Sequence, residues 1–344
     1  MAGLPLDRRT FTQTLALALG SASLPLWAQT PKLSLRIGHT GITWPSGPAG
    51  GGRGRAGAPP TGAPTPAAAG AARGEVDPGL APPPPVPRPV DLAASEAIFQ
   101  DVASLGFYGL ELFSWQIDGL EAAGHLGGLI ERHRLPLVSS YTGINLTDPA
   151  QRQASIASAV ATARTMKKHG GRIIVVGPNG RGQNFVFADH KANIVTTLNE
   201  AGKAIADVGL TAVLHQHTGT CVETRDETYA VMEAVDPRVM KFGPDIGQLQ
   251  KGGVDPVQVV KDFLPLIHHV HLKDWVGGPA MAGYCPLGQG KVDLAAILKI
   301  LDGRPMDGMV MVELDRGGQM PMTPRETAVI AKAYLQSQGA SFRS

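Results

Sequence analysis

Four of the ten histidines fall in two H-x-H pairs, His215-Gln216-His217 and His269-Val270-His271. Each pair sits in or just after a short apolar run of strand character. Alternate residues of a strand point the same way, so His215 shares a face with His217, and His269 shares one with His271 and Lys273. Two more segments carry similar side chains, Gly243-Pro244-Asp245-Ile246-Gly247-Gln248 and Glu313-Leu314-Asp315. Imidazoles and carboxylates together suit a divalent cation such as Mn²⁺, Co²⁺, Zn²⁺ or Mg²⁺. Taken singly, each residue has a plainer reading. A strand-end histidine is commonly a hydrogen-bonded structural residue, Asp245 could cap the next helix, and Glu313 could be an ion-pair partner. Recurrence at four segments is what points to a metal site. His268 precedes the alternating set and is expected to face the other way. Glu111 ends an earlier apolar run and is expected at the same pocket, as a substrate contact or an ion-pair partner.

Residues this far apart in sequence need a scaffold that converges their ends. Candidate strands lie at 35–39, 109–113, 136–140, 173–176, 212–215, 239–242, 267–271 and 309–313. Helical periods lie between or after them, at 92–105, 148–168, 190–208, 225–235, 256–264, 294–301 and 324–338. Strands alternating with helices imply βαβ units and a parallel sheet. Eight such units predict a single-domain (β/α)8 TIM barrel, an α/β fold whose chemistry sits at the C-terminal ends of the strands. A doubly wound open sheet is the alternative. It usually carries a G-x-G-x-x-G loop after its first strand, and none is present.

Composition narrows the field. The chain has 344 residues, 43% hydrophobic and 17% charged, with 31 Lys+Arg against 29 Asp+Glu. That is enough apolar material for a sizeable core. The even charge balance argues against nucleic acid as a partner. Two cysteines, Cys221 and Cys285, exclude a disulfide framework and leave either one bridge or two buried thiols. Asp7-Arg8-Arg9-Thr10-Phe11 precedes a short apolar run and small residues up to Ala28. That pattern resembles a twin-arginine export signal over residues 1–30, with a periplasmic mature protein. No later stretch is apolar enough to span a membrane. Residues 45–90 hold nearly half of the 28 prolines, with much Gly and Ala and no aromatic. They are expected to be a disordered insert after the first strand, interrupting a barrel of 31–344.

Three motifs bring a family into view. His269-Val270-His271-Leu272-Lys273-Asp274 resembles the H-x-H-x-K-D signature of the xylose-isomerase-like TIM-barrel superfamily, the sugar phosphate isomerase/epimerase group. Cys285-Pro286-Leu287-Gly288-Gln289-Gly290-Lys291-Val292-Asp293 resembles its P-L-G-x-G-x-V-D segment. His215-Gln216-His217-Thr218-Gly219-Thr220 is most similar to the strand-five motif of inosose dehydratases. The resemblance covers about residues 33–340, apart from the insert. It implies a metal held by residues from strands five to eight, with Asp245, His271 and Glu313 matching the last three ligands. His215 stands where the epimerases have a glutamate, and His217 or Glu223 could supply that ligand. Gln248 stands where they have a substrate-binding histidine.

The implied substrate is a small carbohydrate, and the implied reaction runs through an enediolate that the cation stabilises. Glu313 would remove the proton beside the carbonyl, and Lys273 would stabilise the anion or donate a proton, unless it is merely paired with Asp274. His215 joins the catalytic set. Gln248, Glu111, His269 and Trp44 are candidate substrate contacts, with Trp115 and Trp275 also expected near the mouth. Isomerisation or epimerisation of a keto-sugar is the first reading. A lyase of the inosose dehydratase or 3-keto-glycoside type is the second, and a non-catalytic exported sugar-binding barrel the third. A homo-oligomer is compatible with all three.

Overall fold

The computed structural model describes residues 32–45, 87–315 and 320–344. The expected signal at 1–30 lies outside them, as does the expected insert at 45–90 except for Pro45 and residues 87–90. Val90 packs against the core, so the C-terminal end of the expected insert is ordered.

The strands are β1 (Ile37–Thr40), β2 (Leu110–Phe113), β3 (Leu137–Ile144), β4 (Ile173–Pro178), β5 (Thr211–Leu214), β6 (Met240–Phe242), β7 (Val270–Leu272), β8 (Asp274–Trp275), β9 (Tyr284–Cys285) and β10 (Val310–Val312). Eight form one parallel sheet in the order β6-β5-β4-β3-β2-β1-β10-β7. Its two ends meet. Parallel bridges join Phe242 to Ile267 and Asp245 to His271. The His268 N–H donates to Phe242 O at 3.1 Å, and the His271 N–H donates to Pro244 O at 3.0 Å. The sheet thus closes into the expected barrel. The open-sheet alternative fails at this seam.

Helices cover the outside: α1 (Leu92–Ser104), α2 (Ser114–Ala122), α3 (Leu126–His133), α4 (Arg152–Lys168), α5 (Phe187–Val208), α6 (Arg225–Met232), α7 (Ile246–Lys251), α8 (Pro256–Asp262), α9 (Leu294–Leu301) and α10 (Pro324–Ser337). The sequence reading lacks α2, α3 and α7. The helix expected from Asp148 opens instead as a 3₁₀ turn, Pro149–Gln151, capped by the Asp148 side chain accepting from the Ala150 N–H at 2.9 Å. Among the described residues, no helix is long and apolar enough to cross a membrane.

Strand alternation separates two cores. Ile174, Val176, Ala212, Leu214, Val310 and Val312 face the helices. Their neighbours Ile173, Val175 and Val213 fill the barrel interior under Tyr141. Val138, Met309 and Met311 fill it elsewhere under Tyr108. Each fully buried aliphatic contributes roughly 1.5–3 kcal/mol. Gly38 belongs to the interior rows. A Cβ there would come 2.5 Å from Met311 Sδ and 2.9 Å from Gly109 O, so only glycine leaves room. The inward rows set up the site, because Val213 is followed two residues on by His215, and Met311 by Glu313.

Candidate active site

At the C-terminal ends of the strands, the inward rows change from apolar to ionisable. His215, Asp245, His271, Lys273 and Glu313 are all buried there, and His269 is buried one layer below, immediately before β7. His268 faces outward and pairs with Asp307 at 2.9 Å, as the alternation requires.

Lys273 lies at the centre of one half of the cluster. Its ammonium is fully buried, 2.8 Å from Asp245 Oδ2, 2.9 Å from Asp315 Oδ2 and 3.0 Å from Glu313 Oε1. Burial alone would lower its basicity, but these carboxylates outweigh burial and raise it well above the ordinary lysine value. Lys273 is therefore held protonated. The Lys273–Asp274 pair expected from adjacency is replaced by these three contacts, because neighbouring strand residues point oppositely.

Asp274 instead holds the loop that follows. Its Oδ1 accepts from the N–H groups of Trp275 at 2.9 Å and Val292 at 3.2 Å. Its Oδ2 accepts from Gly288 at 2.9 Å and Gly290 at 2.8 Å. The loop packs so tightly that a Cβ at Gly290 would press into this carboxylate. The antiparallel β8–β9 hairpin places Tyr284 against the cluster, with its ring centroid 4.9 Å from Lys273 Nζ and its buried hydroxyl without a partner.

His271 occupies the other half. Its Nε2 lies 2.9 Å from Glu111 Oε1 and its Nδ1 lies 2.5 Å from Glu313 Oε2. Neither nitrogen makes a hydrogen bond of good geometry. Burial disfavours a charge on this ring, but Glu111 and Glu313 outweigh burial and raise its basicity well above the usual range. The Asp245 carboxyl goes up through burial despite Lys273. Burial also acts on Glu313, yet Lys273 and His271 hold it well below the ordinary carboxylate range. His215 Nε2 is 3.6 Å from Asp245 Oδ2, and its Nδ1 has no partner.

Other expected residues fall elsewhere. Glu111 is buried, with both oxygens occupied by Ser139, His269 and His271, so it meets protein and not substrate. His269 is likewise taken: Nε2 donates to Glu111 Oε2 at 3.0 Å, and Nδ1 accepts from the Met309 N–H at 3.2 Å. The sequence reading of both as substrate contacts is corrected by these bonds. Trp44 sits in the core, edge-on to His39, and its indole N–H donates to Asp101 on α1 at 2.9 Å. That also corrects its expected place at the mouth. His217 donates from Nδ1 to Thr218 O at 2.7 Å, and its Nε2 accepts from Gln248 at 2.7 Å, which leaves no nitrogen for a metal. Glu223 is 3.0 Å from Arg181 and is spent in that pair. Of the strand-five candidates, His215 alone joins the cluster. Gln248 lies at the rim, its amide also 3.2 Å from Asp315 Oδ2.

The sequence reading gave no role to Asp315, Tyr141 or Gln216. Asp315 lies two residues after Glu313, so period two was a usable signal. Tyr141 packs edge-on to His215, with ring centroids 5.3 Å apart. Gln216 clamps the Asp245 backbone with bonds of 2.9 and 3.2 Å. Both cysteines are free and buried, and burial pushes each thiol up to about 12.

The cluster fits a divalent cation. His215, Asp245 and His271 offer ligand atoms within 4.8 Å of one another, as do Glu111, His269 and His271. In the second trio, Glu111 and His269 are bonded to each other. The first retains bare polar atoms, His215 Nδ1 and both His271 nitrogens, and Glu313 Oε2 beside them is equally bare. Buried polar atoms left this way cost about 1–3 kcal/mol each. A cation among them would remove that cost.

This fold and these strand ends define the class. The chain belongs to the xylose isomerase-like TIM barrel family, whose model matches residues 99–337. Its curated relatives include inosose dehydratases. The one from Clostridium botulinum is 25% identical over 272 residues, covering 71% of this chain and 90% of the relative. Among solved structures, the probable 3-DHS dehydratase AsbF of Bacillus anthracis superposes with a TM-score of 0.58 at 18% identity, covering 70% of this chain and 92% of that one. The IolI protein, solved with a zinc atom bound, superposes with a TM-score of 0.59 at 19% identity, covering 71% and 92%.

Proposed function

We propose that the protein is a divalent-metal-dependent lyase that removes water from a small keto-carbohydrate of the inosose type. The observation that carries this is the match to inosose dehydratase over 90% of that enzyme's length. It moves the reading from isomerase, the first expectation, to dehydratase. A 3-keto-glycoside remains the alternative substrate of the same lyase reading. His215, Asp245, His271 and Glu313 are the residues that would hold the cation. When bound, a cation there supplies Lewis-acid polarisation of a substrate carbonyl.

The chain's own groups divide the remaining work. Glu313, whose Oε2 makes no hydrogen bond of good geometry although it lies 2.5 Å from His271 Nδ1, is the carboxylate that would take the proton next to that carbonyl. Lys273 is protonated and 3.0 Å from Glu313, so it can donate a proton to a departing hydroxyl. An acid beside a base suits elimination. Epimerisation needs a proton carrier on each face of the substrate carbon. The strand-five position that is glutamate in the epimerases is His215 here, and burial holds that ring well below its usual basicity. Gln248 at the rim cannot carry protons.

The test is product analysis with Mn²⁺ or Co²⁺ present, using keto-inositols and 3-keto-glucosides. A product lighter by one water, with enone absorbance, is expected. An isomer of equal mass would return the chain to the epimerases. Saturable binding without turnover would make it a binding barrel. The Arg8-Arg9 pair and the apolar run after it support export to the periplasm. The mass of the mature protein from a Tat-competent host tests that separately.

A further inference from the structure

His271 is held between two carboxylates, and which nitrogen it offers to a cation depends on the one behind it. That carboxylate belongs to Glu111, on the far side of the sequence. Its orientation is set one layer deeper. The Met309 N–H donates to His269 Nδ1 at 3.2 Å, so Nδ1 is bare and Nε2 carries the hydrogen. The His269 Nε2–H donates to Glu111 Oε2 at 3.0 Å, and the Ser139 hydroxyl donates to the same oxygen at 2.6 Å. With Oε2 occupied twice, Oε1 is the oxygen left for His271 Nε2, 2.9 Å away. Every member of this chain is buried, so water does not compete for these bonds.

We propose that Glu111 is a positioning residue: with its Oε1 2.9 Å behind His271 Nε2, it favours the hydrogen on that nitrogen when Nδ1 turns its lone pair to the cation. The inference rests on the metal reading above. A carboxylate behind a metal-bound imidazole fixes its tautomer and ring orientation, and such partners are worth about 10–100-fold in metal affinity. The arrangement also explains why a backbone amide takes part. The Met309 N–H cannot change its sense, so it fixes the sense of the His269–Glu111 bond.

Glu111→Gln reverses the polarity that faces His271 Nε2. His269 still presents an N–H, which claims the new amide's oxygen. The amide NH₂ then faces His271 Nε2 and can bond only if that nitrogen is bare. The ring hydrogen moves to Nδ1, and the lone pair directed at the cation is lost. Four proteins would be compared, wild type, Glu111→Gln, Glu111→Asp and Ser139→Ala, by Co²⁺ affinity in competition with a chelator and by the visible spectrum of the Co²⁺ form. Glu111→Gln is expected to bind Co²⁺ about 10–100-fold more weakly, with altered visible bands. Ser139→Ala removes one of the two donors that pin Oε2, and should weaken binding about threefold. Glu111→Asp, whose carboxylate is one methylene short, should not restore affinity. If Glu111→Gln does not fold, Ser139→Ala decides alone. Wild-type affinity and spectrum in the folded variants would overturn the proposal. Wild-type protein that binds no Co²⁺ would overturn the metal reading itself, before any variant is compared.

Discussion

Lys273 and His271 carry the sharpest expectations for single residues. Replacing Lys273 by Met leaves Asp245, Glu313 and Asp315 facing one another without their ammonium. Breaking a buried ion pair from one side costs about 3–5 kcal/mol. Urea unfolding of Lys273→Met in EDTA should show a loss of that order, partly recovered by saturating Mn²⁺, since a cation can occupy the same carboxylates. His271→Ala should fold and yet retain less than a tenth of the wild-type metal by elemental analysis. His39 gives a pH signature. Burial depresses its basicity from 6.5 to about 4. The folded state thus prefers the neutral ring, and its stabilising contribution is complete above 6.5 and is lost as pH falls from there to about 4. The full swing is on the order of 3 kcal/mol. His39→Asn keeps a donor for Thr40 O and does not titrate. Its unfolding midpoint should vary less between pH 7 and 4 than that of the wild type, and an equal variation would assign the swing to other groups.

At the scale of elements, the segment after β7 depends on one carboxylate. Asp274 accepts four backbone N–H bonds, which order residues 286–293 and hold the β8–β9 hairpin beside the cluster. Asp274→Asn turns some of those contacts into donor against donor. Limited proteolysis should then cut within 276–292, where the wild type resists, at a stability cost of about 1–3 kcal/mol. This hairpin was not legible beforehand, because two-residue strands carry no period. The six residues of α7 were missed for a similar reason, although Asp245 had been named as a helix cap and is one. By contrast, the barrel strands could be read because their inward rows keep period two from the apolar layer into the ionisable one. That is how His269, His271 and Lys273 were placed together. The same rule could not show that Glu111 was already spoken for. Its partner His269 is 158 positions away, and only the closed fold brings the two together. Trp44 failed for the opposite reason: its position near a strand end was right, but the chain turns its indole outward to Asp101.

For the whole molecule, the proposed cation would couple ligand binding to fold stability. A cation that binds only the folded barrel raises its stability by about 2.7 kcal/mol at a hundred times its dissociation constant. Thermal midpoints should therefore climb with added Mn²⁺ or Co²⁺ and fall in chelator, while His271→Ala should respond to neither. The seam of the barrel gives this coupling a location. Along most of the ring, neighbouring strands share a regular ladder, but β6 and β7 are joined only by the Phe242–Ile267 and Asp245–His271 bridges. The second bridge is made by two of the residues assigned to the cation. The staves of this barrel are thus fastened at this irregular joint partly by residues assigned to the proposed cation. Brief parting of that joint would expose the amides of His268 and His271, which donate across it. Hydrogen exchange at these two amides should slow when Co²⁺ is bound, more than at amides within the β3–β4 ladder on the opposite wall. A hydrogen that leaves slowly from His271 would then report, without any turnover, that the ring has been riveted shut.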